Sequence, residues 1–333
     1  PSLYQIGGVA NETIVPLING GLIRPLDDLV AKYGQNLQPN QLIKVDGKIM
    51  AIAMMVNTQH LMYREDVLTE LGLAVPTTWD EVLTAAEAIK ASGKVETPLG
   101  ATMKAGWNLA QEFVNMYFGA GNPLVGADGT PSVNNENGVR TLEMMKALTA
   151  YMDPEYLTSD STFVQQQFQQ GKIAMANLWA SRGGAMDDPA ESQVVGKVNG
   201  AAAPMMTAGG SPATTLWWDG IVIAANITDA EAEAAFRVAL EGIDTEMVSA
   251  NNDDAIWLIP GYKPGRLAGG AIATATANPP PPSYPSTTTQ GLMQSALGNQ
   301  LQAFFTGEKS AADTLAAVEA DYIAAAKEAG VLK

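Results

Sequence analysis

Apolar runs of strand length alternate with capped amphipathic helices along this chain, and that alternation limits the fold more than any other feature. In VPTTWDEVLTAAEAIKAS (75–92), Thr78 and Glu81 have the spacing of a capping box, and Val82, Ala85, Ala86 and Ile89 line one helical face. Thr228 with Glu231 opens ITDAEAEAAFRVALEGI in the same way, and Ser310 with Asp313 precedes TLAAVEADYIAAAKEAG. Further helices are expected at 108–119, 135–151 and 161–170, with short strands at 2–6, 173–177 and 220–225. In VDGKIMAIAMMVN (45–57) the pair Asp46-Gly47 marks a hairpin turn. Between 9 and 34 the pattern reads as a short helix, a glycine turn and a second helix entered at Pro25. Asp27 and Asp28 lie in its first turn, where the helix dipole favours them. Strands alternating with helices predict an α/β architecture. The stretch 265–288, rich in Gly, Ala and Pro, carries no such pattern. Its four consecutive prolines predict a stiff connection.

Length and composition then remove function classes. With 333 residues the chain exceeds one ordinary core and suits two domains. A formal net charge of −16 repels nucleic-acid phosphate and anionic lipid. There is no cysteine and one histidine, His60. Thiolate nucleophiles, disulfides and Cys-zinc sites are thereby excluded, and so are multi-histidine metal sites. No cofactor is implied. No apolar stretch reaches the roughly 18 residues that a membrane span needs. The opening PSLYQIGG has neither the charged nor the apolar region of a secretory signal, so no targeting segment is read in this chain.

Catalytic signatures are weak. TGEKS (306–310) lacks the spaced glycines of a phosphate loop, and its serine reads as a helix cap. Neighbouring residues point apart, so Asp187-Asp188 and Asp253-Asp254 are not acid/base pairs and read as solvated loop charges. GADGTPSVNNENG (126–138) misses the twelfth-position acid of a calcium loop and reads as a turn into a helix. His60 is expected to pack at a strand end. Arg182 and Lys104 are candidate anion contacts.

The tryptophans are more informative. Trp107, Trp179, Trp217, Trp218 and Trp257 sit at element ends in the strings GWNLAQEF, NLWASRGG, LWWDG and AIWLIPGY. An aromatic face accepts the C–H side of a sugar ring, and flanking amides and carboxylates take its hydroxyls. Consecutive strand residues face opposite sides, so one indole of Trp217-Trp218 packs inside and the other faces a ligand. Trp218 is taken as the ligand-facing ring, and Gly220 as a point where the backbone comes close to ligand or hinge.

In order, GLIRPLDDLVAKYG (21–34), the segment 46–93 containing TWDE, NPLVGADGTPSVNNENGVRTLEMMKAL (122–148), FVQQQFQQGKIAMANLWAS (163–181) and the final GEKSAADTLAAVEADYIAAAKEAG resemble family 1 extracellular solute-binding proteins of ABC transporters, the maltodextrin-binding-like sugar receptors. The resemblance runs nearly end to end, with two departures. The strand–helix–strand unit that opens the family is absent here, and the family proline near the end of the 48–57 run is replaced. It implies a type II-like periplasmic-binding-protein fold: two α/β lobes, three crossings near 56–58, 216–220 and 279–286, and a ligand cleft between lobes. One lobe would comprise 1–56 and 217–280, the other 57–216 and 281–333.

On this reading the protein is a monomeric periplasmic or lipid-anchored receptor. It binds a carbohydrate by closing its lobes and passes it to an ABC permease. Asn57 and Gln59 would bind hydroxyls at the first crossing. Trp107, Asn108 and Phe113 would line the second lobe with Trp179 and Arg182. Trp218 would stack on the ring while Asp219 takes a hydroxyl pair beside Gly220. Asn252, Trp257 and Tyr284 would complete the site. The alternatives are a receptor for a non-sugar or anionic solute, and more remotely an enzyme on a two-lobed frame.

Overall fold

Asp46 and Gly47 both adopt positive φ, 50° and 79°, and turn strand β2 (Leu42–Val45) back onto β3 (Lys48–Asn57). That hairpin is one edge of the first of two compact units in the computed structural model, which describes residues 3–333. Unit 1 comprises 1–57, 216–265 and 284–288; unit 2 comprises 58–215, 266–283 and 289–333.

The sheet of unit 1 runs β1 (Ile6–Ala10), β8 (Trp217–Ile223), β3, β2, with β9 (Ile256–Trp257) also paired to β3. All its pairings are antiparallel. Alternation along β8 divides its residues between two cores. Val222 joins Val9, Ile14, Met50 and Ala51 on one face. Ile223 joins Leu26, Ile52 and the Ala232, Ala235 and Phe236 stripe of helix Asp229–Glu241 on the other. The first strand begins later than expected, at Ile6. Leu3 and Tyr4 are 88% and 75% exposed, and Ser2 lies outside the described residues. The second helix likewise starts at Asp27, with Pro25 two residues before it.

Unit 2 carries the order β5 (Thr97–Gly100), β6 (Ile173–Trp179), β4 (Gln59–Arg64), β7 (Val198–Ala201); β5 and β6 are parallel and the other pairs antiparallel. Met62, Ala176 and Leu178 pack with Val164 and Phe168 of helix Ser161–Gln169. The sequence-derived helices fall at Trp107–Gly119, Glu136–Thr149 and Ser161–Gln169. Thr228 makes the full reciprocal capping box. Thr78 caps through Glu81 N at 3.2 Å, but the Glu81 carboxylate turns instead to the backbone N and hydroxyl of Thr77.

Residues 265–288 are not wholly without structure: Ala268–Ala275 is a helix. Its residues are small because they lie against other backbone. A Cβ on Gly270 would come within 2.3 Å of His60 Nδ1 and 2.8 Å of the Ala201 carbonyl. This helix packs on β7 and β4, so 266–283 groups with unit 2 rather than with 217–265 as the lobe boundaries supposed. Behind it His60 is fully buried, and desolvation lowers its pKa to about 4.

Candidate ligand-binding site

In unit 1 the register of the sheet decides which side chains share a face. Met55 lies opposite Asp219 on β8 and opposite Trp257 on β9. Directly opposed residues project to the same side, so Trp257, Met55 and Asp219 form one row. Trp218 pairs with Val56, one residue on, and therefore faces the other side. Asp219 and Trp218 thus do not present one continuous surface, contrary to their expected joint contact. Trp218 is half-buried, with its base on the Val9 and Met50 cluster. Trp217 is 7% exposed and its ring lies 4.1 Å from that of Tyr284.

Asp219 is half-buried, and desolvation alone holds its carboxyl above the usual carboxylate range. Among the described residues no donor reaches that carboxylate, so its acceptor positions stay open. Trp257 donates its indole N–H to the Asn251 carbonyl at 2.8 Å, which fixes the partly exposed ring. Asn252 clamps its own loop, exchanging two 2.9 Å bonds with the backbone of Lys263. Asn57 ends β3 in a half-buried position.

A residue without a sequence signal organises this end of unit 1. Asn11, 3% exposed, accepts from Trp218 N at 2.8 Å and donates to the Tyr284 carbonyl at 3.1 Å. One amide thereby fixes three segments that are remote in sequence. Nothing local distinguishes Asn11 from a turn asparagine.

Unit 2 places Trp107 and Asn108 at the start of helix Trp107–Gly119, with Trp107 40% exposed and Asn108 half-buried. Trp179 closes β6 and is half-buried. Arg182 is held by Gln165 Oε1 and Ser161 Oγ, each at 3.0 Å, and Lys104 is paired with Asp160 at 3.3 Å. Both cations are therefore already answered within the unit.

Four expected contacts are internal instead. Gln59 is wholly buried: its Nε2 donates to Glu112 Oε1 at 2.8 Å and to Thr102 Oγ1 at 3.3 Å, and its Oε1 accepts from Asn115 and Asn177 at 3.1 Å each. Phe113 is also wholly buried, stacked on Tyr117 with centroids 5.5 Å apart. Tyr284 is 2% exposed beneath Trp217. Gly220 is small because β3 crosses it: a Cβ there would sit 2.3 Å from the Ile52 carbonyl oxygen and 2.8 Å from Ala53 Cα. Its close approach is to protein backbone.

A family model described as bacterial extracellular solute-binding protein matches residues 3–269. A Deinococcus radiodurans protein named "Probable ABC transporter-binding protein" is 30% identical over 202 residues, 58% of this chain; the chain spans 46% of that relative's length. Among solved structures, an ABC transporter solute-binding protein from Agrobacterium radiobacter in complex with ribitol has a TM-score of 0.81 at 22% identity, covering 98% of this chain and 85% of that one. Maltose-bound MalE3 of T. maritima gives 0.80 at 18%, covering 97% and 84%. At these identities the two structures establish the fold.

Proposed function

This chain belongs to the bacterial extracellular solute-binding proteins, and from that premise we propose that it is the receptor of an ABC importer, taking a sugar or sugar alcohol from the periplasm or cell surface to a membrane permease. The solute is bound and released unchanged, with no bond made or broken. Similar folds that hold ribitol and maltose support this solute class.

The observation that carries the reading is Asp219. A carboxylate withdrawn from water with no donor is costly unless something supplies donors, and adjacent hydroxyls of a polyol supply two. In unit 1 the proposed contacts are Asn57, Asp219 and Trp257, with Asn252 bracing the Trp257 loop. In unit 2 they are Trp107, Asn108 and Trp179, while Arg182 presents a guanidinium already steadied by Gln165 and Ser161. Accessible indoles supply flat apolar faces for the C–H side of a ring, and amides supply paired donors and acceptors. An anionic solute is disfavoured because Arg182 and Lys104 both have internal partners.

A thermal-shift panel of polyols, monosaccharides and oligosaccharides tests the class, followed by calorimetry of the best binder and recovery of that binder to check that it is unchanged. At least one member should raise Tm in a concentration-dependent way. A panel in which only amino acids, peptides or organic anions do so would refute the proposal, and a chemically altered binder would indicate an enzyme.

A further inference from the structure

A chain of hydrogen bonds crosses the core of unit 2 and reaches two of the points where the backbone passes between units. Thr58 follows Asn57, the end of the first stretch of unit 1, and Thr215 precedes Leu216, where unit 1 resumes. Thr58 Oγ1 donates to the Thr215 carbonyl at 3.0 Å and lies 3.1 Å from Thr214 Oγ1. Thr215 Oγ1 donates to Asn115 Oδ1 at 2.9 Å, and Asn115 Nδ2 donates to Gln59 Oε1 at 3.1 Å. Gln59 Nε2 donates in turn to Glu112 Oε1, which also accepts from Thr102. Each of these side chains belongs to a residue no more than 3% exposed.

From Thr215 to Glu112 the bonds point one way. Glu112 Oε1 accepts, so Gln59 turns its Nε2 toward it and its Oε1 toward Asn115. Asn115 Oδ1 is then committed to accept from Thr215. Two side branches obey the same direction: Gln111 Nε2 donates to Asn115 Oδ1 at 2.9 Å, and Asn177 Nδ2 donates to Gln59 Oε1 at 3.1 Å. Both leave their own amide oxygen unanswered. Turning either amide over would set oxygen against oxygen, so its orientation is imposed by the chain and not settled locally.

The elements tied together are those that carry the unit 2 contacts. Gln111, Glu112 and Asn115 stand on helix Trp107–Gly119, which opens with Trp107 and Asn108. Asn177 is two residues before Trp179 on β6, and Gln59 lies opposite Trp179 in the β4–β6 register. The Thr58 carbonyl accepts from Ala180 N at 2.9 Å, directly after Trp179. We propose that this network is a positioning device: it holds the end of β6 with Trp179 to the helix that opens with Trp107 and Asn108, so the unit 2 contacts are assembled before solute arrives. The inference rests on the reading of those three residues as solute contacts. Contacts already ordered need no ordering on binding, so the network raises affinity as well as stability.

Thr215→Val keeps the shape of the side chain and removes its hydroxyl, whereas Thr215→Ser keeps the hydroxyl. In the solute-free protein, hydrogen exchange at the Ala180 amide should quicken about tenfold in Thr215→Val and stay near the wild-type rate in Thr215→Ser, with helix Asp229–Glu241 of unit 1 unchanged as control. Calorimetric titration well below Tm, with the polyol or saccharide that raises Tm most, should show affinity about fivefold weaker in Thr215→Val and restored in Thr215→Ser. Unchanged exchange at Ala180 in Thr215→Val would overturn the coupling. Faster exchange with unchanged affinity would overturn the positioning role and leave the solute reading standing. A panel with no binder would remove the solute reading and the positioning role with it. Where Thr215→Val does not fold, the wild type decides: the side-chain amide protons of Gln59 and Asn115 should exchange slowly without solute, and the rates of exposed amides there would overturn the proposal.

Discussion

Replacing Glu112 by glutamine should stabilise the protein in alkali and leave it nearly unchanged in acid. Burial lifts the Glu112 carboxyl from 4.5 to about 7, against the opposing bonds from Thr102 and Gln59. Moving a titration that far costs the folded chain about 3 kcal/mol once the group is ionised, since each pKa unit is worth about 1.4 kcal/mol. Between pH 4.5 and 7 the folded state therefore holds more protons than the unfolded state, and stability falls as pH rises through that window. Glu112→Gln keeps an oxygen to accept from Gln59 and Thr102 while removing the charge. Above pH 8 the variant should unfold at a Tm higher by about 4–10 °C, and the gap should close toward pH 5.

The wild-type profile alone would mislead. His60, with its pKa lowered to about 4 by burial, binds fewer protons folded than unfolded between pH 4 and 6.5. Its contribution rises with pH in that interval and offsets part of the Glu112 loss. Only the difference between variant and wild type isolates the carboxyl. Calorimetric unfolding from pH 5 to 9 provides it, and two parallel curves would refute the assignment of a costly buried charge to Glu112.

Further outcomes follow from the same geometry. Asp219→Asn should weaken binding of the cognate polyol, and wild-type affinity should fall on acidification as the raised Asp219 carboxyl is protonated, while the variant's affinity stays flat; titration calorimetry across pH reads both. Trp257→Ala should reduce affinity by about 2 kcal/mol, the scale of an aromatic anchor, and calorimetry showing unchanged affinity would remove its stacking role. Gly220→Ala places a methyl against the immovable β3 backbone and should cost about 3 kcal/mol in denaturant unfolding. Gly270→Ala should lift helix Ala268–Ala275 from His60, lowering stability at neutral pH but flattening its dependence on pH between 4 and 6.5, because a solvated imidazole titrates alike folded and unfolded; denaturant unfolding across pH reads both.

What the sequence discloses is what local chemistry controls. Thr78, Thr228 and Ser310 announce helix starts because a cap acts within three residues. Asp46-Gly47 announces a turn because few residues accept positive φ. The opposed facing of Trp217 and Trp218 follows from strand geometry alone. Gln59 and Asn11 are different. Each is polar and near an element end, which resembles a ligand contact or a turn, and only partners tens or hundreds of residues away make them internal. Gly220 signals close approach in the sequence, yet the approaching atoms belong to Ile52 and Ala53. Helix Ala268–Ala275 escaped notice for the same reason: its small residues fit a neighbouring backbone and leave no apolar stripe to read.

The position of β8 sets the order in which unit 1 can be made. It lies between β1 and β3, so those two strands have no partner in common until residue 223 has been synthesised. Until then β3, with KIMAIAMMVN, is half of a hairpin whose other edge is bare, and such an edge pairs readily with other chains. Unit 2 has its four strands complete by residue 201. Synthesis thus delivers the later unit's sheet first, and the amino-terminal sheet closes only after a wait of more than 150 residues. Slow folding of unit 1, and protection by dilution or a holding partner during that interval, are built into this strand order.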